Sequence, residues 1–333
     1  MLFVLFVAKK INIPKTEGIK YAGSKLKLLP YILQLAKQTK AKTVVDGFAG
    51  TTRVSQAFAQ TGYRVISNDI SVWSKTFGNC YLKNCRDKNF YQAIIEHLNN
   101  LSPKNGWFSE NYGGIPDGKS SANSDGFKKP FQIHNTRKLD AIRDEIEKLN
   151  LNEIEKSVLL TSLILALDKV DSTLGHFSSY LNEWSPRSYK TFELKVPQLF
   201  EITEKHEVFN DDIFKTIENV EADLAYFDPP YGSNNEKMPP SRVRYAAYYH
   251  LWTSIILNDK PEIFGKAKRR NDTKDLESAS VFEEFRQTDD GKFIATEAIE
   301  KLLAKTNAKH IILSYSSGGR ATAKNLFEIL ENT

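Results

Sequence analysis

Cysteine is scarce in this chain, and Cys80 and Cys85 have no matching histidine or cysteine pair. Their spacing supports neither a zinc site nor a disulfide framework, so we expect no metal and a reducing cytoplasm. The apolar N-terminus, Met1 to Ala8, lacks a basic leading segment and a cleavage site and is too short to cross a bilayer. We therefore expect no membrane association and interpret residues 1–15 as an N-terminal extension.

Two glycine patterns are also missing, G-x-G-x-x-G and G-x-x-x-x-G-K-[ST]. Their absence counts against NAD and ATP as ligands. The net charge of +5 is compatible with a polyanionic partner but too small to establish one. With 333 residues and 41% hydrophobic content, the chain can bury a full core, as one large domain or one domain with an insertion.

Short apolar runs separated by helical patterns predict a parallel α/β sheet. Helices are expected at 26–37, at 52–59 and, near the C-terminus, at 321–330. The five predicted strands are Thr43–Asp46, Arg64–Ser67, Glu207–Phe209, Leu224–Phe227 and His310–Tyr315.

A long interval without a good strand, roughly residues 85–205, separates the second predicted strand from the third. Leu139, Ile142, Ile146 and Leu149 have helical spacing, and the run from 158 to 170 is apolar nearly all round, which is typical of a buried helix. We interpret 85–205 as a mainly helical inserted domain within a sheet domain made of 16–84 and 206–333.

The most informative motif is Asp228-Pro229-Pro230-Tyr231, which directly follows the fourth apolar run. The prolines end the strand and leave their carbonyls free to accept hydrogen bonds. An acid and a prolyl carbonyl suit a planar amino group, and Tyr231 offers a face on which a nucleobase can stack. On the motif alone, a strand that simply ends at a capping acid remains an alternative.

Three further segments resemble parts of a nucleotide-type site. A glycine-bearing turn, 46–52, leaves the first strand and enters a helix, so a ligand can approach its backbone closely. Asp69 follows the second strand, where an acid can accept from ribose hydroxyls, although a helix cap is the alternative. Upstream, residues 20–25 form a small-residue turn flanked by an aromatic residue and a lysine, with Ser24 as a possible N-cap.

In this order, the segments resemble the Dam-like class of DNA adenine-N6 methyltransferases, with F/Y-x-G-x-K, D-x-F-x-G, an insertion and then D-P-P-Y. The resemblance implies a Rossmann-like sheet that binds S-adenosylmethionine, with a target-recognition domain in the insertion and double-stranded DNA as substrate. It implies a bacterial or phage-borne enzyme, with a cognate restriction endonuclease as a partner. The implied cofactor residues are Tyr21, Ala22, Gly23, Lys25, Asp46, Phe48, Gly50, Asp69 and Asp212, and those for the target base are Asp228, Pro229, Pro230 and Tyr231.

Candidate DNA contacts are less specific. A Gly-, Ser- and Lys-rich loop at 113–129 could contact phosphates, with a solvated loop as the equal alternative, and a second basic cluster at 266–270 is more simply a solvated linker. We expect Trp252 to pack in the core. The candidates are Lys119, Lys128, Lys129, Arg137 and Lys138 for phosphates, and His176, Tyr180 and His250 for the base or the groove.

Two departures from the family pattern carry expectations of their own. Thr52 stands where a second glycine is usual, and because a β-branched residue avoids positive φ, we expect the helix to begin one residue earlier, capped by Thr51 or Thr52. After the last predicted strand the family fold adds two more strands. We therefore expect a truncated chain with low activity, or a second polypeptide that completes the sheet.

Other functions remain open on the sequence. Methylation of cytosine N4 or of an RNA adenine would need a similar acceptor site, although the cytosine enzymes more often carry Ser in place of the acid. A non-catalytic DNA-binding homologue is the alternative from another class.

Overall fold

A five-stranded parallel sheet forms the centre of the molecule, in a computed structural model that describes residues 13–231, 245–274 and 280–331. Its order is β5-β2-β1-β6-β9, so the predicted α/β fold class is confirmed. Two pairs of two-residue strands, β3 with β4 and β7 with β8, lie outside it. The strands are β1 (Thr43–Asp46), β2 (Arg64–Asn68), β3 (Gly113–Gly114), β4 (Phe131–Gln132), β5 (Glu207–Phe209), β6 (Ala222–Phe227), β7 (Ile263–Phe264), β8 (Arg269–Arg270) and β9 (Ala308–Leu313).

Helices cover the sheet and build most of the inserted segment. A π-helical turn, Asn79–Lys83, continues α3 and buries Cys80, Tyr81 and Leu82. The α-helices are α1 (Leu29–Thr39), α2 (Arg53–Gln60), α3 (Val72–Gly78), α4 (Lys88–Asn99), α5 (Trp107–Tyr112), α6 (Ile133–Lys148), α7 (Glu153–Leu167), α8 (Ile213–Asn219), α9 (Tyr245–Tyr248), α10 (His250–Leu257), α11 (Ile294–Lys305) and α12 (Ala323–Glu331).

Alternation along the central strands divides the apolar side chains between the two faces of the sheet. Val44 and Leu224 pack with α1 and α2 on one face. Val45 and Ala225 pack with α8 and α11 on the other. Burial on both faces explains why these strands are continuously apolar.

The parallel register brings the functional segments to one edge. Asp46 pairs with Tyr226 and with Ser67, so β1, β2 and β6 end at the same level. The residues that follow these strands, including Asp69 and Asp228, therefore meet at the carboxyl edge of the sheet, where open α/β folds bind ligands.

The inserted segment shares a core with the sheet domain. One apolar cluster contains Ile19, Trp73 and Phe77 together with residues of α4, α6 and α7. Nearly every residue of α7 is buried, as its all-round apolar pattern indicates. The division at 85 and 205 stays a prediction, because this cluster runs through both parts.

The fold bears out most of the predicted elements, with ends displaced by a few residues. The last predicted strand lies at Ala308–Leu313, and the first helix begins at Leu29 rather than at residue 26. Trp252 is 1% exposed and packs in the core as expected. Within the described ranges, no helix is long and apolar enough to cross a membrane. The N-terminal extension falls mostly outside the described residues.

Candidate active site

A cavity of about 880 Å³ opens at the carboxyl edge of the sheet. It collects segments from opposite ends of the chain: residues 21–25, the turn after β1, the loop after β2, the start of α8 and the end of β6. Of the sequence-predicted residues, it is lined by Tyr21, Gly23, Lys25, Asp46, Phe48, Gly50, Asp69, Asp212, Asp228 and Pro230.

Asp228 and Lys25 form an ion pair in this cavity. Lys25 Nζ lies 2.5 Å from Asp228 Oδ2, with the two side chains 9% and 15% exposed. Burial raises the pKa of Asp228 to about 6, and the charge of Lys25 is the main influence that opposes the rise. Asp228 Oδ1 is buried and has no hydrogen-bond partner among the described residues, although the Ser314 side chain lies close enough to lower the pKa of the carboxyl. The site therefore keeps one carboxylate oxygen free to accept a hydrogen bond.

The rest of the motif surrounds this pair. The Tyr231 ring meets Tyr315 edge-on at 5.5 Å, and Lys25 Nζ lies 5.5 Å from the Tyr231 centroid. Pro229 is buried, whereas Pro230 reaches the cavity. The two prolines thus carry the chain from the sheet to an aromatic ring beside the ion pair.

Asp46 and Asp69 add two more carboxyl groups. Asp46 is fully buried, and its Oδ2 accepts a 2.6 Å hydrogen bond from Ser55 Oγ, whereas Oδ1 has no partner among the described residues. Burial raises the pKa of Asp46 to about 7, and the charges of Asp228 and Asp69 add to the effect. Asp69 accepts from the backbone N–H groups of Gly50 and Ser71, both at 2.8 Å, and burial raises its pKa.

This cavity is short of positive charge. The charges of Asp228 and Asp69 raise the pKa of Asp46, and Lys25 is engaged by Asp228. A ligand that carries positive charge would relieve both the burial cost and the mutual repulsion. The chemistry of the donor set therefore fits a cationic molecule with hydroxyl groups.

The turn after β1 gives close access to its backbone. Gly50 has a φ of +49°, and a Cβ at that position would come within 3.1 Å of the Tyr21 hydroxyl. A Cβ on Gly47 would lie 2.7 Å from the Phe227 ring. Glycine is required at Gly47 by packing and at Gly50 by both conformation and packing.

Thr52 contradicts our expectation for this turn. It adopts φ +58° and ψ 14°, in the left-handed region, and α2 begins after it at Arg53 without a side-chain cap. The side chain is fully buried, and its Oγ1 accepts a 3.1 Å hydrogen bond from Gln56 Nε2. Packing and this hydrogen bond hold a β-branched residue where the backbone alone would disfavour it.

The strain at Thr52 has a measurable consequence. Thr52→Gly and Thr52→Ala both lose the hydroxyl and methyl contacts, but only glycine relieves the left-handed backbone. We expect the glycine variant to be more stable in urea denaturation by about 1 kcal/mol. At Gln60, in helical conformation at the end of α2, the same pair of substitutions should favour alanine. Equal stabilities at position 52 would contradict the strain.

Two tyrosines that the sequence did not single out fix the 21–25 segment. Ala22 N–H donates to the Tyr249 hydroxyl at 2.8 Å, and the Tyr245 hydroxyl donates to Ala22 O at 3.2 Å. The Tyr21 ring stacks on Tyr249 with centroids 5.0 Å apart. Ala22 thus contributes its backbone to this contact. The tyrosines follow Asp228 by 17 and 21 residues, and no local pattern linked them to residue 22.

The prediction that the basic cluster at 266–270 is a solvated linker is wrong. Arg270 is 4% exposed, lines the cavity and pairs with Asp259 at 2.7 Å and with Asp272 at 2.8 Å. It is thus part of a packed β7–β8 hairpin and not of a solvated linker. Phe282, from the following segment, meets Phe48 edge-on at 5.1 Å. Two acids flanking one arginine were the signal for this cluster in the sequence.

Among the candidate DNA contacts, burial contradicts two. His250 is fully buried, with Nε2 3.1 Å from Phe177 O, and burial lowers its pKa to about 3. Lys129 is 4% exposed and pairs with Asp125 at 2.7 Å. Tyr180 donates its hydroxyl to Ala267 O at 2.7 Å, which ties the insertion to the β7–β8 hairpin. These side chains have structural partners instead of a free surface.

The remaining DNA candidates stay predictions. Lys119 and Lys128 are exposed, and Arg137 is exposed with its Nε 2.7 Å from Asn105 Oδ1. Lys138 packs over Phe192 and donates to its carbonyl. His176 is half-buried and stacks on Tyr248 with centroids 4.6 Å apart.

Asp212 caps helix α8. Its Oδ1 accepts from Phe214 N–H at 2.8 Å, and the residue is exposed at the cavity rim. No group of three or more potential metal ligands occurs in the part of the chain that the structure describes.

Comparisons with known proteins agree with this geometry. The chain is 31% identical over 330 residues to the modification methylase StsI of Streptococcus sanguinis. The aligned region covers 94% of this chain and 46% of StsI. It is 28% identical to the type II methyltransferase M.NlaIII of Neisseria lactamica, and the aligned region covers 94% of this chain and 88% of M.NlaIII. It is 27% identical to the type II methyltransferase M.FokI of Planomicrobium okeanokoites, and the aligned region covers 94% of this chain and 47% of M.FokI. The chain thus spans about half the length of StsI and M.FokI.

A family model described as D12 class N6 adenine-specific DNA methyltransferase matches residues 21–316. That range includes every segment that lines the cavity. The chain therefore belongs to the D12 class N6 adenine-specific DNA methyltransferase family.

Proposed function

We propose that this chain transfers a methyl group from S-adenosylmethionine to N6 of adenine in double-stranded DNA, as the modification partner of a restriction system. The observation that carries the proposal is the buried Asp228, with one carboxylate oxygen free, next to Tyr231 and on the same cavity as Asp46 and Asp69. Family membership and the names of the relatives support it.

The cavity suits the proposed cofactor. S-adenosylmethionine, when bound, supplies an electrophilic methyl group on a positively charged sulfur. Asp46, with its unpartnered Oδ1, and the turn at Gly50 would hold the charged amino acid part. Each Asp69 oxygen accepts one backbone N–H and keeps a lone pair for a ribose hydroxyl. Phe48 and Asp212 at the rim complete this set.

At the other end of the cavity, Asp228 and Tyr231 would receive the target adenine. In a duplex N6 is enclosed by stacking and pairing, so the base must leave the helix first. Tyr231 would stack on the extruded ring, while Asp228 and the Pro229 carbonyl accept the two N6 hydrogens. Those hydrogen bonds would orient the nitrogen lone pair, and N6 would release one proton to solvent after it receives the methyl group. The protein's contribution is orientation, and no covalent nucleophile of the chain is needed.

The alternatives differ in their acceptor. Cytosine N4 and RNA adenine present similar amino groups, and the family favours DNA adenine over both. A residue other than glycine at position 52 would favour a non-catalytic homologue if it disrupted the turn, but the turn accommodates Thr52 in the left-handed region. A second polypeptide that completes the sheet and a cytoplasmic location remain predictions.

Mapping N6-methyladenine tests the function directly. We would express the chain in a host without its own adenine methylation and sequence the DNA with modification-sensitive reads. We expect methyladenine at one short sequence motif, and none when Asp228→Asn is expressed at the same level. Methylcytosine at N4, or methyladenine in RNA only, would replace the proposal by the corresponding alternative. Unmodified nucleic acid in cells with soluble wild-type protein would contradict it.

Cofactor affinity should depend on pH. The raised pKa of Asp46, about 7, means that this carboxyl is partly protonated near neutrality, whereas a cationic ligand favours its charged form. Affinity should therefore rise from pH 6 to pH 8 by up to about tenfold in total, because a carboxyl with a pKa near 7 is only about one-tenth charged at pH 6. Calorimetry in buffers of different ionisation heat should show proton release on binding.

Two comparisons sharpen that measurement. Methylthioadenosine lacks the amino acid part that Asp46 would hold and should show a smaller pH dependence. Asp46→Asn should flatten the dependence for S-adenosylmethionine, while Asp211→Asn, an exposed acid on the same cavity, should not. Equal affinity at pH 6 and pH 8 would contradict the assignment of Asp46.

A further inference from the structure

We propose that Leu174 is the side chain that enters the DNA stack and fills the space left by the extruded adenine. This inference rests on the proposed function and adds a residue to it. Leu174 is 75% exposed, the most exposed of the large apolar side chains in the described part of the chain. Single exposed apolar side chains are common on protein surfaces, so the significance of Leu174 comes from the loop that holds it.

Hydrogen bonds and an ion pair within the loop hold the backbone next to Leu174. Its predecessor Thr173 is 3% exposed, donates its hydroxyl to Asp171 Oδ2 at 3.0 Å and accepts from Arg187 Nη2 at 2.8 Å through its carbonyl. Arg187 also pairs with Asp171 at 2.6 Å, and Asp171 is 1% exposed. These bonds fix the backbone immediately before the leucine.

The backbone after the leucine is fixed as well. Gly175 N–H donates to Thr173 Oγ1 at 3.0 Å, and Gly175 has a φ of +97°, which favours glycine. Two residues on, Phe177 is 1% exposed and its N–H donates to Tyr248 O at 2.7 Å. A short loop anchored on both sides therefore presents a single apolar side chain rigidly.

The position of this loop links it to the cavity, where a Cβ on Gly23 would lie 3.2 Å from the Tyr245 hydroxyl and 3.6 Å from the hydroxyl of the motif residue Tyr231. A Cβ on Gly175 would lie 3.6 Å from Lys20 Cβ, and Lys20 directly precedes the cavity residue Tyr21. On the other side, His176 stacks on Tyr248 in α9, the helix that begins with the cavity residue Tyr245. The two residues that follow Leu174 thus contact two segments that build the site.

The surroundings suit a nucleic acid. Lys169 and Lys190, which lie near this loop in the sequence, are exposed, and so is Lys119, whose carbonyl accepts from Trp184 N–H. Such lysines can hold phosphates while carrying no sequence information. Apolar side chains inserted between base steps are a known way for proteins to stabilise unstacked DNA.

The role predicts a defect confined to paired targets. Leu174→Ala should lower kcat/KM about 10- to 100-fold on a duplex that carries the motif mapped above with the target adenine paired to thymine. On the same duplex with an abasic site opposite that adenine, the base already leaves the stack easily, and the variant should come within about threefold of wild type. Leu174→Met, which keeps an apolar side chain of similar volume, should retain activity on both duplexes.

A direct readout separates extrusion from folding. With 2-aminopurine in place of the target adenine, wild type should raise the fluorescence on binding, and Leu174→Ala should give a reduced rise at saturation. Leu35→Ala, an exposed leucine of α1, is the matched control and should behave as wild type in both assays. Thermal unfolding and S-adenosylmethionine affinity should be the same for all variants.

The outcomes distinguish the two proposals. If wild type methylates the paired duplex and Leu174→Ala does so equally well, the inference about Leu174 is wrong and the function stands. An equal loss on the paired and abasic duplexes would also overturn it, because the defect would not concern extrusion. If wild type methylates neither duplex, the proposed function fails, and the role of Leu174 fails with it.

Discussion

Asp228→Asn should abolish methyl transfer, with kcat lower by about 10³-fold or more. Asparagine keeps the shape of the side chain but removes the negative charge and turns one acceptor atom into a donor. Loss of one preorganised electrostatic contact at a reacting group costs about 10²- to 10³-fold in other enzymes. Here the variant also leaves Lys25 without its 2.5 Å partner at 9% exposure, which adds to the loss.

Cofactor binding should survive this substitution. Asp46 and Asp69 lie on separate strands and keep their own hydrogen bonds, so S-adenosylmethionine affinity should stay within about tenfold of wild type. Single-turnover transfer of a labelled methyl group and calorimetry measure the two quantities. Asp289→Asn, an exposed acid outside the cavity, is the matched control. Near-normal turnover by Asp228→Asn would remove this residue from the chemistry.

Lys25→Met should lower activity at pH 7 by about 10²-fold and shift its pH dependence upward. Burial holds the pKa of Asp228 at about 6 even with the lysine present, and the lysine is the main influence that keeps it from rising further. Without it, the carboxyl becomes protonated near neutrality, and a protonated carboxyl donates a hydrogen where the reaction needs an acceptor. Because the charged form is the active one, activity should recover as pH rises.

The pH profile identifies the cause of the loss. Below the new pKa, turnover should increase about tenfold per pH unit, and Asp228→Asn should show no such recovery. Lys27→Met, at an exposed position two residues away, should match wild type. A loss that follows S-adenosylmethionine affinity and leaves the pH profile unchanged would assign Lys25 to cofactor binding alone.

Local patterns were enough for the elements that build the site. Apolar runs bounded by turn residues located the five strands of the sheet, because strands buried on both faces are continuously apolar. The end of each run then marked Asp46, Asp69 and Asp228, and parallel strands bring such ends to one edge. Order along the chain therefore predicted proximity in space.

Residues whose roles depend on distant partners were beyond these patterns. Tyr249 holds Ala22 across 227 positions, and the Tyr180 hydroxyl donates to the Ala267 carbonyl across 87 positions. His250 was expected at the surface, but its partner, the carbonyl of Phe177, lies 73 positions away in the sequence. Thr52 shows the same limit for the backbone, because tertiary packing outweighed its conformational preference.

The sequence by itself determined the fold class, the family and the acids of the cavity, since these follow from strand patterning and from short motifs of fixed chemistry. Only the tertiary structure decided which charges meet: Lys25 against Asp228, and a carboxyl-rich cavity with two unpartnered oxygens. It also decided that Leu174 projects while its neighbours are buried. The exposure of a side chain and the partner of a charged group depend on contacts with the whole chain, so no local segment of the sequence determines them.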